Sequence, residues 1–228
     1  MSWLLRPLIA LDTETTGTDP ETARIVQICV GISTAPGEWS PFTTLVNPGA
    51  PIPAAATAVH GITDEMVADA PTVGDVLRDL ERWWGSADGG TPVVAHHAAY
   101  DLTVLDREAR RAGVELEVAG WTVLDTLCLH RRFDWRTGGR SLGRLAARYN
   151  ITFPAHDAEA DALAALRLLH ILAGENDLLP MIDPTDLHRG QQRWWVQQQD
   201  AIESKQLGNG SEFTRQDHWP LIPMGVES

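Results

Sequence analysis

Leu8-Ile9-Ala10-Leu11-Asp12-Thr13-Glu14 is the stretch on which the reading of this chain turns. Four apolar residues run straight into two acids two positions apart. A short apolar run bounded by the turn cluster Thr16-Gly17-Thr18-Asp19-Pro20 predicts a buried strand. Residues i and i+2 of a strand project from one face, so Asp12 and Glu14 stand side by side. Adjacent carboxylates repel unless a cation lies between them or one keeps a proton. A divalent cation answers that need, and oxygen-only ligands favour Mg²⁺ or Mn²⁺. Two solvated acids in a turn are the competing reading of the same residues.

Outward from there, residues 25–32 and 42–46 predict two more strands, sequential and antiparallel to the first. Residues 72–84 carry apolar side chains at helical spacing. A short strand at 92–95 leads into a helix at 98–111, stopped by Gly113. Residues 121–124 predict a fifth strand, and 141–149 and 157–172 two helices. The order is that of an α/β protein with one mixed sheet covered by helices. Residues 1–175 form the main domain, 176–207 a helical extension opened by Asp183-Pro184-Thr185, and 208–228 a polar, flexible tail.

Composition restricts the function. The 228 residues carry 18 Lys+Arg against 31 Asp+Glu, a net charge of −13. A broad basic nucleic-acid surface is excluded, although residues 121–148 are locally basic through Arg131, Arg132, Arg136, Arg140, Arg144 and Arg148. Those arginines suit either a phosphate track or a solvated helix face. No run approaches the length of a membrane span, and residues 1–12 do not resemble a signal peptide. Cys29 and Cys128 sit in apolar runs and read as buried free thiols, which fits a reducing cytoplasm. The nine tryptophans are first explained by core packing.

Two further acidic signals stand out. Asp101 falls in the opening turn of a helix, where the helix dipole alone favours an acid. His156-Asp157-Ala158-Glu159-Ala160-Asp161 opens another helix. Asp157 and Glu159 have evident structural work there as cap and first-turn acid. Asp161 lies among small apolar residues and needs a partner. His156 precedes the helix, free to swing towards a site or merely exposed.

Together, Asp12-Thr13-Glu14-Thr15-Thr16-Gly17, His96-His97-Ala98-Ala99-Tyr100-Asp101 and His156 through Asp161 resemble the three motifs of the DEDDh (DnaQ-like) exonucleases. That branch includes the proofreading epsilon subunit of bacterial DNA polymerase III. Val59-His60-Gly61-Ile62-Thr63 and the segment from Ser141 to Ile151 are also similar, so the likeness covers about residues 5–174. It implies a ribonuclease-H-like fold, with a mixed five-stranded sheet whose first three strands are antiparallel. It implies a metal-dependent 3′→5′ exonuclease that releases 5′-mononucleotides from single-stranded or frayed DNA ends. By the likeness, Asp12, Glu14, Asp101 and Asp161 hold two divalent cations, Mg²⁺ or Mn²⁺, and His156 is the general base. Thr15, Val59, His60, His97 and Tyr100 would meet the terminal nucleotide. His97 stands where the family commonly has Asn, and Tyr100 where Phe is common. The implied partners are a DNA 3′ end and a polymerase or other replication protein. An exoribonuclease acting on short RNA, and a non-catalytic binder of nucleic-acid ends, are the alternatives.

Overall fold

The computed structural model describes residues 2–84, 90–134, 138–208 and 215–224. Its centre is a five-stranded sheet. β1 (Leu8–Thr15), β2 (Ile25–Ser33) and β3 (Ser40–Leu45) form an antiparallel meander. β4 (Val93–Ala95) and β5 (Val123–Asp125) add in parallel on the other side of β1, giving the order β3-β2-β1-β4-β5. This is the mixed sheet that the sequence predicts.

β1 is covered on both faces, which explains its continuous apolar run. Ile9 and Leu11 pack with Val76, Leu77, Leu102 and Leu105, from α3 (Val73–Trp84) and α4 (Ala98–Ala112). Leu8 and Ala10 face the opposite layer with Ala162, Leu166 and Leu169 of α7 (Ala158–Glu175). β1 runs four residues past its apolar run and includes both acids. Asp12 pairs with Cys29 and Glu14 with Gln27, and the register breaks only between Glu14 and Thr15. Asp12 and Glu14 are therefore strand residues on the α7 face, and not solvated acids in a turn.

Short helices fill the connections. α1 (Ala54–His60) and α2 (Asp64–Val67) cover a small core of Val26, Ile52, Ile62 and Val67. α5 (Thr126–Phe133), which the periodicity does not predict, follows β5 directly and is capped by Asp125. α6 (Leu142–Arg148) precedes α7.

Residues 176–207 hold a 3₁₀ turn, Leu179–Met181, and most of α8 (Pro184–Gly208). α8 covers the outer edge of β5 by standing in for a sixth strand. His188 Nδ1 accepts from Val123 N at 3.0 Å, and the Gln191 amide bonds Asp125 N and Val123 O at 2.8 Å each. An exposed edge strand would otherwise present unpaired backbone groups. The expected flexible tail at 208–228 needs correction. Residues 215–224 lie against the domain, with Trp219 and Ile222 buried. Residues 209–214 and 225–228 of that tail lie outside the described residues. The polar composition hid two apolar anchors whose burial outweighs it. Both cysteines are free and buried. Among the described residues, no helix is long and apolar enough to cross a membrane.

Candidate active site

Four acids from three elements converge at the end of β1. Asp12 is half-buried and Glu14 buried, side by side on the strand. Asp101 arrives from the first turn of α4 and is 5% exposed. Its Oδ1 accepts from Thr13 N at 3.1 Å and from Thr13 Oγ1 at 2.7 Å, which pins α4 to the strand. Asp161 arrives from the first turn of α7, and its Oδ2 accepts from His156 N at 2.9 Å. Asp157 caps α7 through Ala160 N at 3.0 Å, while Gln27 Oε1 accepts from Ala158 N at 3.0 Å. Glu159 accepts from Thr43 Oγ1 at 2.9 Å. So Asp157 and Glu159 fasten the start of α7, and Asp161 is left facing β1.

The electrostatics are those of a cluster lacking a counter-charge. Burial, and then Asp101, Asp161, Glu14 and Asp157 in turn, push the Asp12 carboxyl well above the usual range. Burial, followed by Asp161 and Asp101, raises Glu14 to about 7. Burial raises Asp101 to about 7 against the opposing bonds from Thr13. Asp161 is also raised, chiefly by burial. Among the described residues, no Arg or Lys forms an ion pair with any of the four. Ligand atoms of Glu14, His156 and Asp161 lie within 4.8 Å of one another. Hard oxygen donors, crowded and unpaired, fit a divalent cation.

His156 is exposed and takes a left-handed backbone (φ 67°), which turns it back over the start of α7. It lines a cleft of about 290 Å³ with Asp12, His96, Ser141 and Asp161. His96 forms a fixed wall there. Its Nδ1 meets Thr126 Oγ1 and its Nε2 meets Arg140 O, both at 2.9 Å. Burial pushes its pKa down to about 4, so it is neutral near pH 7. A larger cavity of about 490 Å³ lies between the β2–β3 turn and α7 and is lined by none of the four acids.

The expected nucleotide contacts divide into two groups. Thr15 Oγ1 lies 2.8 Å from Gly17 O and 2.6 Å from Tyr100 Oη, and Tyr100 Oη also donates to Gly17 O. His60 ends α1, where its Nδ1 accepts from Ile62 N at 3.0 Å. Burial holds its pKa below the usual value, and both Thr15 and His156 are near enough to act on it. Val59 beside it is 54% exposed. Thr15, His60 and Tyr100 thus border the carboxylates, while Val59 is placed only as the exposed neighbour of His60 in α1. His97 turns elsewhere. Its backbone is left-handed (φ 70°), and its ring stacks on Trp195 at 5.9 Å.

Sequence reasoning missed Asp125. This fully buried carboxylate accepts from His97 N at 3.0 Å, Ala98 N at 3.1 Å, Leu127 N at 2.9 Å, Cys128 N at 3.3 Å and Trp219 Nε1 at 3.0 Å. It fixes the β4–α4 junction from which Asp101 projects. The local signal, an acid between a strand and a helix, identifies only a cap. The arginine stretch is not one surface. Arg140 Nε bonds His130 Nδ1 at 3.1 Å, Arg148 lies 3.9 Å from Asp134, and Arg132 sits over the Phe133 and Trp194 rings. Arg136 lies outside the described residues.

Residues 9–169 match the RNase_T exonuclease family. A DNA polymerase III subunit epsilon-like protein of Rhodobacter capsulatus is 42% identical over 176 residues, which is 72% of this chain and 24% of that protein. The PolC-type DNA polymerase III of Bacillus subtilis is 32% identical over 167 residues, 71% of this chain and 11% of that one. The chain therefore aligns to less than a quarter of the length of either relative. Among solved structures, exonuclease X in complex with 5′-overhanging duplex DNA superposes with a TM-score of 0.57 at 28% identity, covering 75% of this chain and 93% of that one. Escherichia coli exonuclease I superposes with a TM-score of 0.67 at 16% identity, covering 77% and 42%, a likeness of fold.

Proposed function

The chain belongs to the RNase_T exonuclease family, and from that premise we propose that it is a 3′→5′ exonuclease hydrolysing phosphodiester bonds at single-stranded or frayed DNA ends. The observation that carries this reading is the gathering of Asp12, Glu14, Asp101 and Asp161, without a described counter-charge, beside His156. The four acids would hold two divalent cations, Mg²⁺ or Mn²⁺. When bound, the cations supply positive charge that activates water and offsets the charge developing on the phosphate. They also give a protein of net charge −13 a local attraction for a polyanion.

The chain's own residues do the rest. Thr13 and Asp125 hold Asp101 in place, from the strand and from the β4–α4 junction. Gln27 and Asp157 hold the turn from which Asp161 and His156 project. An imidazole nitrogen of His156 takes the proton from the attacking water. Thr15, His60 and Tyr100 receive the terminal nucleotide, and Val59, exposed at its rim, wedges against the base. Stacking and backbone contacts of this kind grip an end without reading its sequence. DNA is favoured as substrate by the 28%-identical relative solved on DNA and by the polymerase chains that share this domain. A polymerase or other replication protein is the corresponding partner class. The reducing cytoplasm is the setting that two buried free thiols favour.

The test is a time course on matched 5′-labelled single-stranded DNA and RNA with Mg²⁺, Mn²⁺ or EDTA. A metal-dependent DNA ladder is expected, lost in Asp12→Ala and slowed roughly 10²–10⁴-fold in His156→Ala. Faster shortening of RNA would move the assignment to an exoribonuclease. No shortening with either metal would overturn it.

A further inference from the structure

The family match ends at residue 169, yet a segment beyond it reaches the loop that follows β1. Residues 215–224 are held from several sides. Trp195 Nε1 donates to Gln216 O at 2.5 Å, and Trp219 Nε1 to Asp125 Oδ2 at 3.0 Å. Ile222 N donates to Thr103 Oγ1 at 3.1 Å, and Arg107 Nη2 donates to Ile222 O at 2.7 Å. The same Arg107 grips Glu21 through two bonds of 2.8 and 2.6 Å. One guanidinium thus joins the strap, α4 and the loop after β1.

Where those three meet there is a cavity of about 480 Å³. The loop gives Asp19 and Pro20, the start of α4 gives His97 and Tyr100, and the strap gives Gln216 and Ile222. Tyr100 is shared with the nucleotide-facing group, because its hydroxyl meets Thr15 and the next residue is Asp101. The His97 wall is fixed by its stack on Trp195, which is itself bonded to the strap. The walls are mainly rings and aliphatic surface, with the Thr18 hydroxyl, the Gln216 amide and the Asp19 carboxylate, which Glu21 N and Thr22 Oγ1 bond, as their polar groups. The carboxylate of Asp19 would repel a phosphate. A flat, uncharged group with a polar edge suits this lining, and an unpaired nucleobase has that chemistry.

We propose that this cavity is a base subsite, completed by the strap, which takes one unpaired base of the substrate strand away from the scissile bond. The proposal rests on the exonuclease reading and adds a specificity element that the family segment alone does not contain.

The test uses the full chain and single-stranded DNA carrying one abasic residue at successive positions from the 3′ end. In the unaltered protein, KM is expected to rise roughly tenfold when the abasic residue occupies one particular position inward of the terminal nucleotide. Gln216→Trp fills the cavity, and Gln216→Ala removes the amide; both keep the backbone carbonyl that anchors the strap. On intact DNA each should raise KM, Gln216→Trp by roughly tenfold. The Gln216→Trp protein should no longer respond to the abasic residue at that position. A flat scan in the unaltered protein, or the same scan in Gln216→Trp, would overturn the subsite. Failure of the exonuclease reading looks different: the unaltered protein would not cleave even the p-nitrophenyl ester of thymidine 5′-monophosphate, which has a single base.

Discussion

Without a bound cation, Asp12, Glu14, Asp101 and Asp161 make the site a source of instability. Each carboxyl with a raised pKa keeps its proton when folded over a range where the unfolded chain has lost it. With Glu14 and Asp101 near 7 in the fold, against ordinary values of 4.5 and 3.8, the folded chain binds more protons between about pH 4 and 7. Stability without metal must then fall as pH rises through that window. Scanning calorimetry in EDTA should show Tm dropping by about 3–6 °C from pH 5 to 7.5. Mn²⁺ should restore more of it at pH 7.5 than at pH 5, because protons and cation compete for the same oxygens. A Tm in EDTA that rises across this range would contradict the cluster. Asp12→Asn should raise Tm in EDTA at pH 7.5 while lowering turnover about 10³-fold or more. A variant both inactive and less stable would assign Asp12 a structural role instead. These acids were legible because the strand period and three separated motifs are local patterns. Asp125 was not, since its donors come from residues 97, 98, 127, 128 and 219, which only the fold brings together.

At the level of elements, the sheet was readable and its borders were not. Apolar runs announce β1 and β2, but hydrophobicity by itself marks β1 only as far as Leu11, and pairing with β2 carries the strand on to Thr15. Hydrophobic pattern cannot report a strand held together by its neighbour. α8 shows the same limit. Its Gln-rich stretch reads as a polar helix, yet Gln191 is completely buried and its amide occupies the place of a neighbouring strand. Gln191→Leu keeps the bulk and removes both bonds, leaving Asp125 N and Val123 O unpaired inside the protein. Two such losses should cost about 2–4 kcal/mol in urea unfolding. Loss below about 0.5 kcal/mol would mean that water reaches the edge of β5 and that α8 covers it only loosely. Because Asp125 sits on that same edge, the variant should also weaken turnover without touching a ligand.

Across the whole molecule, the charge balance sets how a nucleic-acid end can be held. A net charge of −13 gives no general attraction for a phosphate backbone, and three of the arginines at 131–148 are spent on His130, Asp134 and the Phe133–Trp194 rings. Arg144 differs. It is exposed and follows Gly143, which lines the cleft beside Asp12 and His156. Binding should therefore involve few phosphates, and the plot of log KM against log salt should be shallow. For a single strand the slope is about 0.7 per phosphate contacted, so a value under about 2 is expected. Arg144→Glu should flatten it by about 0.7, since one contact is lost. Arg132→Glu should leave it unchanged, because that side chain lies over Trp194. Equal flattening by both variants would show that the arginines act as one diffuse positive surface. A steep slope in the unaltered protein would show a phosphate track that the described residues do not present. Affinity would then come from the backbone, and not from the cations at β1 and α4 and the stacked bases at the strap that are proposed above.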